Sequence, residues 1–259
     1  MTLEYKGITI EYTDQGTGET LVLLHGFLEN LTMWDVFIPE LTKKCRVVCI
    51  DLLGHGKTGC LGYLHTMEAM AEAVKAVLDS LEITKATFIG HSMGGYVALA
   101  FAEKNPKTLK GLCLMNSTAL ADTEEKKLNR DRAIIAVKQN HKTFIRLAIN
   151  NLFRPKNRII FSNQIKELIQ SALNTPLQGI IAALEGMKIR ENRQYTFQST
   201  HFFKMLIVSK KDPVLEYNSL INQVQETDVF IAELPDGHMS HIENEMELLQ
   251  IFMRFIEKI

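Results

Sequence analysis

Short apolar runs alternate along the chain with longer stretches in which apolar residues recur every three or four positions. Ile8 to Tyr12 alternates apolar and polar side chains and predicts an early strand, closed by the turn-forming Asp14-Gln15-Gly16-Thr17-Gly18. Leu21 to Leu24 is continuously apolar, as suits a strand covered on both faces, and Arg46 to Ile50 predicts another before Asp51. Met67, Met70, Ala71, Val74, Val77, Leu78 and Leu81 recur at helical spacing. A strand at Thr87 to Ile89, a helix at Tyr96 to Lys104 and a strand at Leu112 to Met115 follow. Alternation of this kind predicts an α/β chain with a mostly parallel sheet flanked by helices.

The rhythm stops after Asn116. From about Ala119 to Tyr195 the pattern is helical, punctuated by Pro155, Pro176, Gly179 and Gly186. Strands resume at Met205 to Ser209 and Val229 to Leu234, and a last helix opens near Asn244. The interruption is longer than one crossover needs, so it predicts a helical cap inserted into the sheet domain. The expected division is a core of residues 1–118 and 197–259 and a cap of residues 119–196. Such a cap would lie over the carboxyl ends of the strands, where open α/β sheets bind ligands.

Gly90-His91-Ser92-Met93-Gly94 fits G-x-S-x-G between a predicted strand and a predicted helix. A serine on so sharp a turn projects its hydroxyl from the sheet edge. Gly90 and Gly94 let strand and helix approach closely, and Gly95 adds room. Serine alone is a poor nucleophile and needs a base oriented by a third group. Asp212 follows the strand at Met205, and His238 follows the strand at Val229. The chain order Ser92, Asp212, His238 places both partners on loops at one edge of the sheet. His241 competes with His238 as base, Asp122 with Asp212 as acid, and Asp236 reads first as part of a Pro-Asp-Gly turn. His25 and His55, in glycine-flanked loops, are expected to be structural, and His91 to buttress the elbow.

These segments together resemble the α/β-hydrolase superfamily: Leu24-His25-Gly26-Phe27, Asp51 to Gly56, Gly90 to Gly95, Lys211-Asp212 and Gly237-His238. The likeness is to its small carboxylesterases, enol-lactonases and the menaquinone-pathway pyruvate-eliminating synthase, and it covers the sheet portion and not the cap. It implies the α/β-hydrolase fold and a Ser92-His238-Asp212 triad without cofactor or metal. It also implies an oxyanion hole from the backbone N–H groups of Phe27 and Met93. Hydrolysis of a small-molecule ester or lactone through an acyl-enzyme is the leading expectation. Elimination, perhydrolysis and a triad-retaining ligand receptor are the alternatives. The eliminating group carries an arginine directly after the glycine pair, where this chain has Tyr96. Trp34 and Tyr96 are candidate pocket residues, although Trp34 and Phe37 at helical spacing read equally as core.

Composition narrows the partners. Among 259 residues, 29 Lys/Arg offset 30 Asp/Glu, which gives no general field for nucleic acid or anionic lipid. No apolar run approaches a membrane span, and Met1 to Tyr12 lacks the basic-then-apolar pattern of a secretory signal. Four cysteines without CxxC spacing favour reduced thiols and a cytoplasmic setting over zinc or disulfides. A monomer or homodimer is expected. Between Ala121 and Thr196, 14 Lys/Arg stand against 7 Asp/Glu. If those cations face inward, an anionic substrate is favoured.

Overall fold

The computed structural model describes residues 1–199 and 201–259. Eight strands form one sheet: β1 Thr2–Tyr5, β2 Ile8–Gln15, β3 Thr20–Leu24, β4 Arg46–Ile50, β5 Ala86–His91, β6 Leu109–Met115, β7 Phe203–Ser209 and β8 Phe230–Leu234. Their order is β1-β2-β4-β3-β5-β6-β7-β8. β1 and β2 run antiparallel to their neighbours, and all pairs from β4 to β8 are parallel. The fully apolar runs are the central strands: every residue of β3 and β5 is buried. The half-polar Ile8 run lies near the edge, where one face meets solvent. β1 has no counterpart in the expected elements, because four residues carrying Glu4 offer little periodicity. β2 continues through Asp14 and Gln15, which the sequence assigns to a turn, because both pair with β4.

Two apolar layers cover the sheet. Helices Met67–Ser80 and Met93–Lys104 lie in one, around Phe88, Val97 and Phe101. Helices Ile38–Leu41 and Glu245–Ile256 form the other, where Trp34, Phe37 and Phe252 pack ring against ring. Trp34 is fully buried there, so it belongs to the core and does not line the cavity beside Ser92. Truncation of a ring in such a cluster costs about 3–5 kcal/mol.

Between β6 and β7 the chain is helical: Glu124–Leu152, Asn157–Ile160, Ser162–Ala172, Leu177–Lys188 and Gln194–Ser199. The first of these kinks at Asn140 (φ −156°, ψ 86°), whose side chain accepts the Thr143 N–H and so starts a new helical stretch. Gly179 and Gly186 are not breaks. Both lie inside the helix Leu177–Lys188, on its face toward the loop of residues 51–66. A methyl on Gly179 would stand 2.1 Å from the Gly54 carbonyl oxygen, and one on Gly186 1.7 Å from that of His65. Glycine at these two positions lets the helix backbone rest on the loop. Arg193 adds ion pairs to Glu68 and Glu103 on the two sheet-covering helices.

Candidate active site

Because β3 to β8 are parallel, their carboxyl ends share one edge. Five of the loops singled out in the sequence emerge there, His25-Gly26 after β3, Asp51 after β4, Ser92 after β5, Asp212 after β7 and His238 after β8, and Asn116 joins them after β6.

Ser92 adopts φ +49°, ψ −113°, a backbone conformation that costs a non-glycine residue about 1–3 kcal/mol. Its surroundings hold it there. The Ser92 N–H donates to the Met115 carbonyl at 3.0 Å, and its own carbonyl accepts the Ser117 hydroxyl at 2.7 Å. A methyl on Gly90 would lie 2.5 Å from the Gly94 backbone, and one on Gly94 2.3 Å from the Leu24 carbonyl oxygen. The spacing of glycines around Ser92 is thus set by backbone meeting backbone. Ser92 is partly exposed and borders a cavity of about 110 Å³ that it shares with Phe27, Tyr96, Arg130, Leu152 and His238.

His238 Nδ1 lies 2.7 Å from Asp212 Oδ2, with both side chains buried. The other Asp212 oxygen accepts the N–H groups of Val214 (2.8 Å) and Leu215 (3.0 Å), and Asn116 Nδ2 donates to Oδ2 at 3.1 Å. Burial alone would raise the Asp212 carboxyl. The facing His238 and these donors outweigh it and hold the group below the usual carboxylate range. Asp122 is elsewhere: it binds Arg130 at 2.5 Å and Arg190 at 2.7 Å. Asp236 is engaged by Arg154 and Asn244. Asn116 was not singled out by sequence reasoning. Its only sequence signal is a polar residue directly after the apolar run Leu112 to Met115; in the structure it takes φ +44°.

The loop after β3 turns tightly. The Glu29 N–H donates to the Gly26 carbonyl, and Leu28 takes φ +63° between them. The Gly26 N–H is used by Glu29 Oε2 at 2.6 Å. The Phe27 N–H has no hydrogen-bond partner among the described residues, and Phe27 lines the cavity beside Ser92. The N–H of Met93, first residue of its helix, is likewise unpaired, as expected at a helix start.

Glu29, a second residue that sequence reasoning missed, is buried beneath this loop. Its Oε2 lies 2.7 Å from His91 Nδ1, while His91 Nε2 donates to the His238 carbonyl at 3.1 Å. Burial opposes the charge on both partners. Their mutual attraction wins, holding the Glu29 carboxyl at about 2 and raising the His91 imidazole. His241 packs against His91, with Nε2 3.7 Å from Glu29 Oε1. Burial pushes His241 down to about 4 and His55 down to about 3. His25 accepts the Leu52 N–H, which fixes the loop after β4.

A parallel sheet with a strained serine between strand and helix, and an aspartate-bound histidine at the same edge, defines an α/β-hydrolase-type architecture. The chain belongs to the alpha/beta hydrolase fold family, whose model matches residues 19–245. A thermophilic esterase from Thermogutta terrifontis, solved with malate bound, superposes with a TM-score of 0.92 at 29% identity, covering 99% of this chain and 96% of that one. The 3-oxoadipate enol-lactonase 1 of Acinetobacter baylyi is 26% identical over 98% of this chain and 94% of its own length. The dihydrolipoyllysine-residue acetyltransferase component of the acetoin cleaving system of Pseudomonas putida is 27% identical. That match covers 93% of this chain but only 64% of the Pseudomonas protein. No helix among the described residues is long and apolar enough to cross a membrane.

Proposed function

We propose that the protein hydrolyses carboxylic esters or lactones of small molecules through an acyl-enzyme on Ser92. The observation that carries this reading is the 2.7 Å contact of Asp212 with His238 Nδ1, in a cavity that His238 shares with Ser92. With Nδ1 bound to a carboxylate, the proton of neutral His238 resides on Nδ1 and leaves Nε2 free to act as base. His238 takes the Ser92 hydroxyl proton, and the Oγ attacks the carbonyl carbon. The Phe27 and Met93 N–H groups receive the oxyanion. His238 then protonates the departing alkoxide, leaving the acyl group on Ser92. Water activated by His238 releases the acid. Asp212 stabilises the imidazolium at both stages.

The esterase and enol-lactonase likenesses support this choice among the chemistries open to such a serine. The elimination reading is weakened by Tyr96. The nearest guanidinium to that ring, Arg190 at 4.1 Å, is bound to Asp122 and does not line the Ser92 cavity. Of the cap's many cations, Arg130 does line it. We assign Arg130, which holds Asp122 through its Nε while it lines the cavity, to a carboxylate or similar acidic group on the substrate, with Phe27, Leu152 and Met187 against the apolar part.

The test is multiple turnover of p-nitrophenyl acetate and of a panel of simple lactones. The reading expects turnover that Ser92→Ala abolishes. Loss of pyruvate from a menaquinone precursor with no ester turnover would overturn it, and labelling by a fluorophosphonate without any turnover would favour a receptor.

A further inference from the structure

Beside the Ser92 cavity, whose lining includes Glu29 and His91, the three residues Glu29, His91 and His241 bring one carboxylate and two imidazoles together, far apart in sequence and contiguous in space. One ligand atom from each lies within 4.8 Å of the others, and all three side chains are buried. The cluster is poorly satisfied from within. Glu29 Oε1 and both ring nitrogens of His241 are buried without a hydrogen-bond partner. Leaving one such group unpaired costs about 1–3 kcal/mol, so three in one place call for a ligand. Glu29 and His241 also border a second cavity, of about 520 Å³, whose wall carries Asp35, Glu167 and Glu245. That wall concentrates cations at the mouth of the cluster.

We propose that Glu29, His91 and His241 form a binding site for a divalent transition-metal ion, zinc by donor set. Two imidazoles, one carboxylate and a fourth position open to a cavity suit tetrahedral Zn²⁺. Glu29 Oε1 and His241 Nε2 supply two ligands directly. His91 Nδ1 supplies the third by exchanging the proton it shares with Glu29 Oε2 for the ion, and that proton leaves through the cavity. A water completes the shell. The outer contacts are already in place. His91 Nε2–H donates to the His238 carbonyl, and Gly26 N–H donates to Glu29 Oε2, as bonds that orient metal ligands do. Those same bonds tie the ion to the oxyanion loop and to the backbone of His238. Occupancy draws His91 from Glu29 and displaces both, so zinc acts as a reversible inhibitor of the hydrolase. This last consequence rests on the proposed function, whereas the binding does not.

The site is tested by titrating chelator-stripped protein with Zn²⁺ in a calorimeter and with Co²⁺ by visible absorption. We expect one ion per chain and a four-coordinate Co²⁺ spectrum. His241→Ala should weaken binding about tenfold or more, and His241→Cys, which restores a ligand, should recover it. His238→Ala and Ser92→Ala should bind as the parent does. Zinc should lower ester turnover in the parent, a chelator should restore it, and His241→Ala should be resistant. The absence of stoichiometric binding would overturn the site, as would undiminished binding in His241→Ala or binding lost in His238→Ala. Binding as expected without inhibition would retain the site and remove its link to turnover.

Discussion

The sheet edge and the helical stretch between β6 and β7 are built to different tolerances. At the edge, backbone touches backbone: Gly90, Gly94 and Gly26 each stand where a methyl group would strike another main chain or a buried polar atom. Ser92, Asp212 and His238 are each fixed by bonds to residues that are themselves buried, Ser117, Leu215 and His91. The helical stretch meets the rest mainly through side chains: Ile145, Ile149, Phe153, Ile180 and Phe197 join the apolar core over the sheet, Arg154 holds Asp236, and Arg193 lies between Glu68 and Glu103, while Gly179 and Gly186 bring backbone against backbone. It leaves Ile135, Leu147, Ile159 and Ile160 exposed. The difference teaches where each property resides. In the proposed reading the chemistry belongs to the sheet edge and the choice of substrate to side chains such as Arg130, which the helices bring into the Ser92 cavity.

The largest effects should therefore come from the edge. Ser92→Ala and His238→Ala are expected to reduce kcat on the order of 10⁶-fold, and Asp212→Asn about 10⁴-fold by favouring the wrong tautomer. Steady-state kinetics on one good ester reads all three. Gly94→Ala should abolish turnover of every ester, because its methyl must push the elbow from Leu24. Gly186→Ala, more crowded still, should lower the melting temperature by several degrees yet spare hydrolysis of p-nitrophenyl acetate, since overpacking costs about 1–3 kcal/mol. If both glycine variants lose all activity while folded, the contrast between edge and helices is wrong.

Much of the edge is legible in the sequence, for a physical reason. Backbone contact demands glycine, a buried parallel strand demands an unbroken apolar run, and a loop at a strand end exposes its polar residue. These constraints leave marks at Gly90 to Gly95, Leu21 to Leu24, Asp212 and His238. Glu29 and Asn116 leave none, because a buried polar residue is justified only by partners remote in sequence: His91 for Glu29, Asp212 for Asn116. The glycines of the helix Leu177–Lys188 read as breaks because their reason, the Gly54 and His65 carbonyls, lies more than a hundred residues away. Trp34 reads equally as pocket or core, since spacing cannot tell which side of the sheet its helical turn covers.

A smaller effect tests selectivity. Arg130→Ala should raise KM about fivefold for carboxylate-bearing esters and leave neutral esters nearly unchanged, which a matched pair of substrates measures; losing a solvent-screened charge contact is worth about 1 kcal/mol. If neutral esters suffer equally, Arg130 supports packing and not recognition.

The smallest effect is in pH dependence. His241 and His55 are held neutral by burial, at about 4 and about 3 against an ordinary 6.5. Between those values the unfolded chain binds more protons than the native one, so stability falls as pH drops from about 6.5. Glu29, held at about 2 against an ordinary 4.5, contributes stability that is present above 4.5 and lost as pH falls toward 2. Urea midpoints across this range should decline steadily, and His241→Asn should flatten the part between about 6.5 and 4. An unchanged slope would mean that His241 is already charged in the native state.

The central claim is that Ser92 carries the acyl group. Acid-quenching the protein within its first turnovers of p-nitrophenyl acetate and weighing it intact tests this most directly. The account predicts one added acetyl group, mapped to the peptide containing Ser92 and absent from Ser92→Ala. An acetyl group on another residue, or turnover that persists in Ser92→Ala, would contradict it.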